Sequence, residues 1–569
     1  MDKKRLENLR QIHPTPQWVR QGFKSLDGLW ELNGHEINVP FPPQSDMSGF
    51  RQHVGFHLHY QKKFSLPKDF TEERVLLHFG AVDQVCDVYL NERYLGHHEG
   101  GYLGFTYDIT GIVNREGENR LIVSAVDRLS HVYPYGKQRF ARGGMWYTPV
   151  SGIWKSVWLE NVPKEYIESV KLTPDMTGFE IEVTPAGDWN SNDVFVELNP
   201  MGHRVSVRLE NLRGYVNLQE LYNTLNLEWK PEEVLWSPEH PNLIDLTVRH
   251  GEDVVETYTA LREITIEKRK GINRVCLNHE CVFLQGVLDQ GYFLEGIYVP
   301  SNRKCYDRDI RNMKELGFNF LRKHIKVEPE YFYYAADRLG IFVMQDMVNS
   351  GPYNFMMDTF APNITLKKRK DQYLKHMDKK RKNFFIKHCE DTVQQLYNHP
   401  SIISWCIFNE GWGQFESDRI YSLMKQWDPT RLVDSTSGWF AQKLSDFDSE
   451  HIYFHNEKLV PKERPLLLSE CGGFGFRVEG HMFNLKKIMG YGMSKNREEL
   501  MKMIRTMYVE MIYPAISNGM CGVVYTQLCD VEDEINGLYT YDRHTCKVDK
   551  EEMNRISKHC MDILQNSVK

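Results

Sequence analysis

Between residues 18 and 162 apolar and polar positions alternate in short runs: LDGLWEL (Leu26 to Leu32), FHLHYQKKFSL (Phe56 to Leu66), RVLLHFGAV (Arg74 to Val82), QVCDVYLNERYLGHHEGG (Gln84 to Gly101) and NRLIVSAV (Asn119 to Val126). Gly, Pro, Asn and Asp separate the runs, and Asn91-Glu92-Arg93 reads as a hairpin turn between two of them. Strands buried on one face show this period of two. The pattern predicts a β-sandwich of jelly-roll type over residues 1–164. Its last part, Tyr133 to Trp158, is instead loop-rich, aromatic and basic, as befits a loop reaching toward another domain. Residues 165–268 alternate again (SVKLT, FEIEV, VFVEL, VSVRL, NLEW, LIDLTV), which suits an immunoglobulin-like β-sandwich.

From Val282 onward the texture becomes strand–helix alternation, the signature of a parallel sheet. Eight apolar runs qualify as strands: Val282 to Leu288, Phe318 to Ile325, Ile341 to Met347, Ile402 to Phe408, Leu432 to Thr436, His451 to His455, Pro465 to Glu470 and Gly522 to Leu528. Helical runs between them are Cys305 to Leu316, Pro329 to Leu339, Met377 to Tyr397, Phe415 to Gln426 and Arg497 to Ser517. The count predicts a (β/α)8 TIM barrel over residues 269–569. The fourth to seventh strands follow so closely that the helices between them are short or missing. The basic run LKKRKDQYLKHMDKKRK reads as a solvated helical face.

Composition narrows the function classes. Of 569 residues 41% are hydrophobic and 26% charged, an ordinary globular balance, and the net charge of −7 argues against nucleic-acid or anionic-membrane partners. The N-terminus lacks an apolar signal-peptide core, and no apolar run is long enough to span a membrane. The 11 cysteines are scattered without a CxxC pair, as in reduced core thiols of a cytoplasmic protein.

The chemistry gathers where two strands end. SWCIFNEGWG (Ser404 to Gly413) runs from apolar residues into Asn409-Glu410 and then glycines, and Leu466-Leu467-Leu468-Ser469-Glu470 repeats the pattern before Cys471-Gly472-Gly473. The C-terminal strand ends form the catalytic face of a β/α barrel, so Glu410 and Glu470 face each other across its mouth. Glycoside hydrolysis needs such a pair: one protonated carboxyl for the leaving oxygen, and one carboxylate for the anomeric carbon or its water. Other strand ends offer candidate sugar-binding groups: Asp289, Arg322 and His324, Asp346, either Tyr453 or His455, and either Tyr525 or Gln527. Arg322 is expected to pair with a carboxylate inside the barrel, and Trp412 and Trp439 are candidate stacking platforms.

FNEGWG, LLLSECGG and GFNFLRKH, with LDGLWEL and SGIWKSVWLE near the N-terminus, make the chain resemble glycoside hydrolase family 2, the family of β-galactosidases, β-glucuronidases and β-mannosidases. The resemblance spans nearly the whole chain. It implies a retaining exo-β-glycosidase with Glu410 as acid/base, Glu470 as nucleophile and Asn409 on the sugar's 2-hydroxyl. It also raises Glu168 as a carboxylate reaching the sugar. Asp289-Gln290-Gly291 departs from the Arg-His-Glu run common at the first strand end, and INGLYTYDRHTCK lacks the Asn-x-Lys signature of glucuronidases. The missing signature favours a neutral, β-galactoside-like substrate, while the altered first strand end leaves glucuronide, arabinopyranoside or mannoside cleavage, or sugar binding without catalysis, as alternatives. The resemblance further implies a homo-oligomer with a carbohydrate substrate and no organic cofactor; Mg²⁺ or Na⁺ dependence, seen in some relatives, is not readable.

Overall fold

Alternation along the first strands translates directly into burial. On His57–Phe64 and Asn119–Val126, Leu58, Tyr60, Leu121, Val123 and Ala125 point inward and their neighbours outward. The two strands pair antiparallel over eight positions and share one inner face. In the computed structural model residues 3–189, 191–354, 371 and 378–569 are described. A six-stranded and a four-stranded sheet between Phe23 and Val162 close over a common core of Trp30, Tyr60, Leu77, Val88 and Leu159. The predicted hairpin is present: Asn91 and Glu92 both have positive φ (50° and 67°), the geometry of a tight turn matched to strand twist. A second sandwich of three plus four strands, Glu165 to Thr259, packs over Leu172, Ile181, Val196 and Val248.

The barrel follows. Its strands are β1 (Leu284–Asp289), β2 (Phe320–Lys323), β3 (Phe342–Asp346), β4 (Ile402–Asn409), β5 (Leu432–Ser437), β6 (Asp448–Ile452), β7 (Leu466–Gly472) and β8 (Met520–Thr526). They form one parallel sheet in the order β5-β4-β3-β2-β1-β8-β7-β6. Seven of the eight are buried at every position, the expected state of strands covered on both faces. The outer helices include α1 (Lys304–Glu315), α2 (Glu330–Leu339), α3 (Lys379–Leu396), α4 (Ser417–Trp427) and α5 (Arg497–Met507). A hairpin, Ile264 to Leu277, stops the N-terminal end of the barrel by packing Ile264, Val275 and Leu277 against Leu284, Phe320, Phe342 and Leu467. Jelly-roll-like sandwich, second sandwich and TIM barrel are thus the architecture that the alternation implies.

One strand differs from expectation. The sixth runs Asp448–Ile452 rather than His451 to His455, because polar Asp448 and Ser449 begin it and the chain turns to the surface after Ile452. Most of the basic run before α3, and the start expected for that helix at Met377, lie outside the described residues. Among the described residues no helix is long and apolar enough to cross a membrane, and all 11 cysteines are unbridged thiols.

The loop between Val126 and Gly152 leaves the first sandwich and lies over the barrel mouth. Tyr135 donates its backbone N–H to the Asn349 carbonyl at 3.0 Å and its hydroxyl to the Gly351 carbonyl at 2.8 Å. Trp146 stacks on Trp412 with ring centres 5.3 Å apart. Thr148 gives its N–H to Glu532 Oε1 at 2.9 Å. The floor of the mouth is barrel; part of its wall belongs to the first sandwich.

Candidate active site

At the end of β4 the chain turns through Glu410 with φ 52°, a left-handed conformation that a non-glycine residue adopts only when its surroundings impose it. Gly411 and Gly413 continue the turn with φ 78° and 64°, and a Cβ at Gly413 would stand 2.0 Å from the Ser350 carbonyl oxygen. The glycines after Glu410 are therefore fixed by space as well as by backbone angle. Glu470 comes from β7, near the far side of the sheet order, and closure of the barrel brings the two together. An oxygen of Glu410, an oxygen of Glu470 and a ring nitrogen of His451 all lie within 4.8 Å of one another, and all three residues are buried.

Three groups hold this pair. His451 Nδ1 is 2.9 Å from Glu410 Oε1 and 3.7 Å from Glu470 Oε2. Tyr453 donates its hydroxyl to Glu470 Oε2. Arg322, fully buried on β2, donates to Glu470 Oε1 at 3.0 Å, to Asn409 Oδ1 at 2.8 Å, to the Ser469 carbonyl at 3.1 Å and to Asp346 at 3.1 Å. One guanidinium thus ties together the ends of β2, β3, β4 and β7; its rigid fork serves several acceptors at once. Burial alone would raise the pKa of Glu470, but His451, Arg322, His324 and Lys137 outweigh it and hold the carboxyl well below the ordinary glutamate range. His324 bonds Asp346 Oδ2 through Nδ1 at 2.7 Å, and burial pushes its pKa down to about 4. For Asp346, burial works upward, but Arg322 and His324 keep it below its usual value.

The other strand-end candidates take varied places. Asp289 is buried but engaged: Lys323 Nζ lies 2.5 Å away, the Gly291 N–H donates at 2.9 Å, and Lys323 goes on to Glu328 at 2.9 Å. Gln527 Nε2 donates to Asn536 Oδ1 at 2.8 Å and Glu534 Oε2 at 3.3 Å. Tyr525, the alternative on β8, uses its hydroxyl to accept the Phe474 N–H at 3.3 Å. His455 needs correction. Two-thirds exposed on the loop after β6, it faces Glu457 at 3.5 Å, while Tyr453 and His451 occupy the place expected for it. Glu168 is exposed and lines the crevice between the second sandwich and the end of α3, with Asn398 and Gln394.

Sequence reasoning passed over four residues. His451 stood in the sixth strand run, but its inward position depends on a register shift between Glu450 and His451. Glu534 belongs to the acidic string DVEDE beyond β8. Lys137 and Tyr147 come from the aromatic, basic loop of the first sandwich, and only that loop's arrival at the mouth reveals them. Tyr147 donates its hydroxyl to Glu534.

Two groups of metal-ligand type exist among the described residues: Glu410, His451 and Glu470, and His481, Asp542 and His544. In the first, the Arg322 guanidinium already sits 3.0 Å from Glu470 and opposes a second cation.

A buried carboxylate pair on two strand ends, beneath a loop from a leading sandwich, invites comparison with known glycosidases. Residues 23–163 match the model for the sugar binding domain of glycosyl hydrolases family 2, and residues 273–469 match that for its TIM barrel domain. The chain belongs to glycosyl hydrolases family 2. Within it, a beta-galactosidase of Leuconostoc mesenteroides is 26% identical over 512 residues, covering 82% of this chain and 45% of that protein. The chain therefore spans less than half the length of this relative. The structure of a beta-glucuronidase from an uncultured Clostridium sp. superposes with a TM-score of 0.73 at 18% identity, covering 96% of this chain and 99% of that one. A beta-D-glucuronidase of Dictyoglomus thermophilum gives 0.73 at 17% identity, over 96% and 98%. At such identities the two structures show the fold alone.

Proposed function

We propose that this family 2 protein is a retaining exo-β-glycosidase acting on terminal, neutral β-linked sugars, β-galactoside-like. The observation that carries the reading is the approach of Glu410 and Glu470 oxygens to within 4.8 Å. Retaining enzymes hold their carboxyl groups about 5–5.5 Å apart, whereas inverting ones leave about 6.5–9.5 Å for a water. The spacing here suits direct attack.

Glu410 gives its proton to the departing glycosidic oxygen while Glu470 attacks the anomeric carbon, forming a glycosyl ester. Glu410, now ionised, takes a proton from water, which displaces Glu470 and releases the sugar with its original anomeric configuration. The roles demand different protonation, and the surroundings of Glu470 favour its charged form. Asn409 has its carbonyl oxygen fixed by Arg322, which leaves the amide N–H groups to donate to the sugar's 2-hydroxyl, a contact that tightens in the transition state.

A second reading, cleavage of β-glucuronides, rests on the names of the solved relatives. A uronate carboxylate entering this mouth would meet the carboxylates of Glu470 and Glu534 against the ammonium of Lys137, which favours the neutral sugar.

A panel of nitrophenyl β-glycosides tests the proposal. Wild type should cleave at least one. Glu410→Ala should lower its turnover by roughly 10²–10⁴-fold, with azide restoring much of the rate as a substitute nucleophile on the glycosyl ester. Wild-type turnover by Glu410→Ala and Glu470→Gln on every glycoside would refute it.

A further inference from the structure

The mouth holds a cation whose ammonium bonds no side chain among the described residues. Lys137, in the loop from the first sandwich, is 8% exposed. Its ammonium lies 5.8 Å from the centre of the Tyr147 ring and 5.8 Å from that of Trp412. Among the described residues that ammonium has neither a hydrogen bond nor an ion pair, although the Lys137 carbonyl accepts the Tyr147 N–H at 2.9 Å. Trp412 stands two residues beyond Glu410, and the Tyr147 hydroxyl bonds Glu534, so Lys137 sits between the end of β4 and the segment after β8.

Glu534 is the complementary half. It is 1% exposed, and Tyr147 and Gln527 both donate to the same oxygen, Oε2. Oε1 accepts nothing from the described residues. Lys137 and Glu534 feel each other's charge, yet no N–O contact within 4.0 Å joins them. A buried ammonium and a buried carboxylate left apart are costly unless something polar completes them. A hydroxyl does so for both at once, accepting from the ammonium and donating to the carboxylate.

We propose that Lys137 and Glu534 form a clasp, contributed by two domains, that binds one hydroxyl of the sugar and so sets the preference for a neutral glycoside over a uronide. The proposal rests on the retaining-glycosidase reading and adds to it the residues that select the sugar. An anionic group placed at Lys137 would gain one cation but face the carboxylates of Glu534 and Glu470, whereas a hydroxyl satisfies both partners without net charge. Neither half alone makes the reader, which gives the first sandwich a direct part in specificity.

The test compares wild type with Lys137→Met, Lys137→Arg and Glu534→Gln on nitrophenyl β-glycosides of neutral sugars, on the β-glucuronide, and on 3-, 4- and 6-deoxy forms of the best neutral sugar. Wild type should prefer a neutral sugar. Lys137→Met and Glu534→Gln should each lower kcat/KM on it by about 10–100-fold, the size of a hydrogen bond to a charged group. Lys137→Arg should recover part of that loss. For one deoxy sugar the loss should vanish, because the hydroxyl being read is already absent. Should Lys137→Met fail to fold, judged by its thermal transition, Glu534→Gln and the deoxy series decide alone. The clasp is refuted if active wild type prefers the glucuronide. It is equally refuted if both charge-removing variants stay within about threefold of wild type, or if their loss is the same on every deoxy sugar, as a merely charge-balancing pair would give. A wild type inert on all glycosides would instead overturn the hydrolase reading, and the clasp with it.

Discussion

His451 Nδ1 stands 2.9 Å from Glu410 Oε1. The ring's other nitrogen faces the Arg322 guanidinium at 3.4 Å and the Ser437 hydroxyl at 2.8 Å. The Ser437 hydroxyl donates to Ser469 Oγ at 3.0 Å and so accepts from Nε2, which leaves Nδ1 directed at Glu410. In the proposed mechanism His451 is thus a positioning residue for Glu410 as acid/base. Replacing it by Phe should lower kcat by about 10–100-fold while changing KM little, since imidazole orientation costs are of the order of one charged hydrogen bond. The further loss from adding Glu410→Ala should be much smaller than Glu410→Ala causes alone. Steady-state kinetics of the single and double variants check this; full additivity would separate the two residues.

Tyr453 and Arg322 stabilise the charged form of Glu470. Its folded pKa lies below the ordinary value, so its charge strengthens the fold at pH above about 4.3, the unperturbed glutamate pKa. That contribution is lost as pH falls through the depressed folded value. With Glu470 as the proposed nucleophile, the acid limb of kcat/KM should accordingly lie below pH of about 4 in wild type. Tyr453→Phe removes a donor to the carboxylate, so the limb should move to higher pH and kcat should fall. An unmoved acid limb would contradict the assignment.

Three buried histidines should make the fold acid-sensitive earlier than its carboxylates do. Burial lowers His13 and His324 to about 4 and His388 to about 3. Unfolded, each titrates near 6.5, so above that pH neither state binds the proton and stability is unaffected. As pH drops below 6.5 the unfolded chain gains protons that the folded one refuses, and stability falls until the folded values are reached. The thermal midpoint should decline steadily between pH 6.5 and 5, and less so in His388→Asn. A flat profile over that range would contradict the burial of these rings in neutral form.

Much of this was legible in the chain. Period-two alternation specified the sandwiches, and apolar runs ending in Asn409-Glu410 and Ser469-Glu470 located the pair, because a strand buried on both faces leaves only its end for polar chemistry. The strand-six misplacement had a physical cause: Asp448 and Ser449 pair with β7 through their backbones, which no hydropathy pattern reports. His451 then escaped notice, since a bulge, unlike a regular strand, breaks the alternation that says which side chain faces inward. Lys137, Tyr147 and Glu534 lay hidden for another reason. Their meeting depends on a loop crossing from one domain to another, and the sequence carries composition there but no register.

The most direct test is to trap the intermediate. Incubation with a 2-deoxy-2-fluoro aryl β-glycoside of the preferred sugar slows hydrolysis of the glycosyl ester, and peptide mass mapping locates the label. One sugar per chain is expected, esterified to Glu470, with Glu410 unlabelled. A label on another side chain, or no label alongside a product of inverted anomeric configuration, would contradict it.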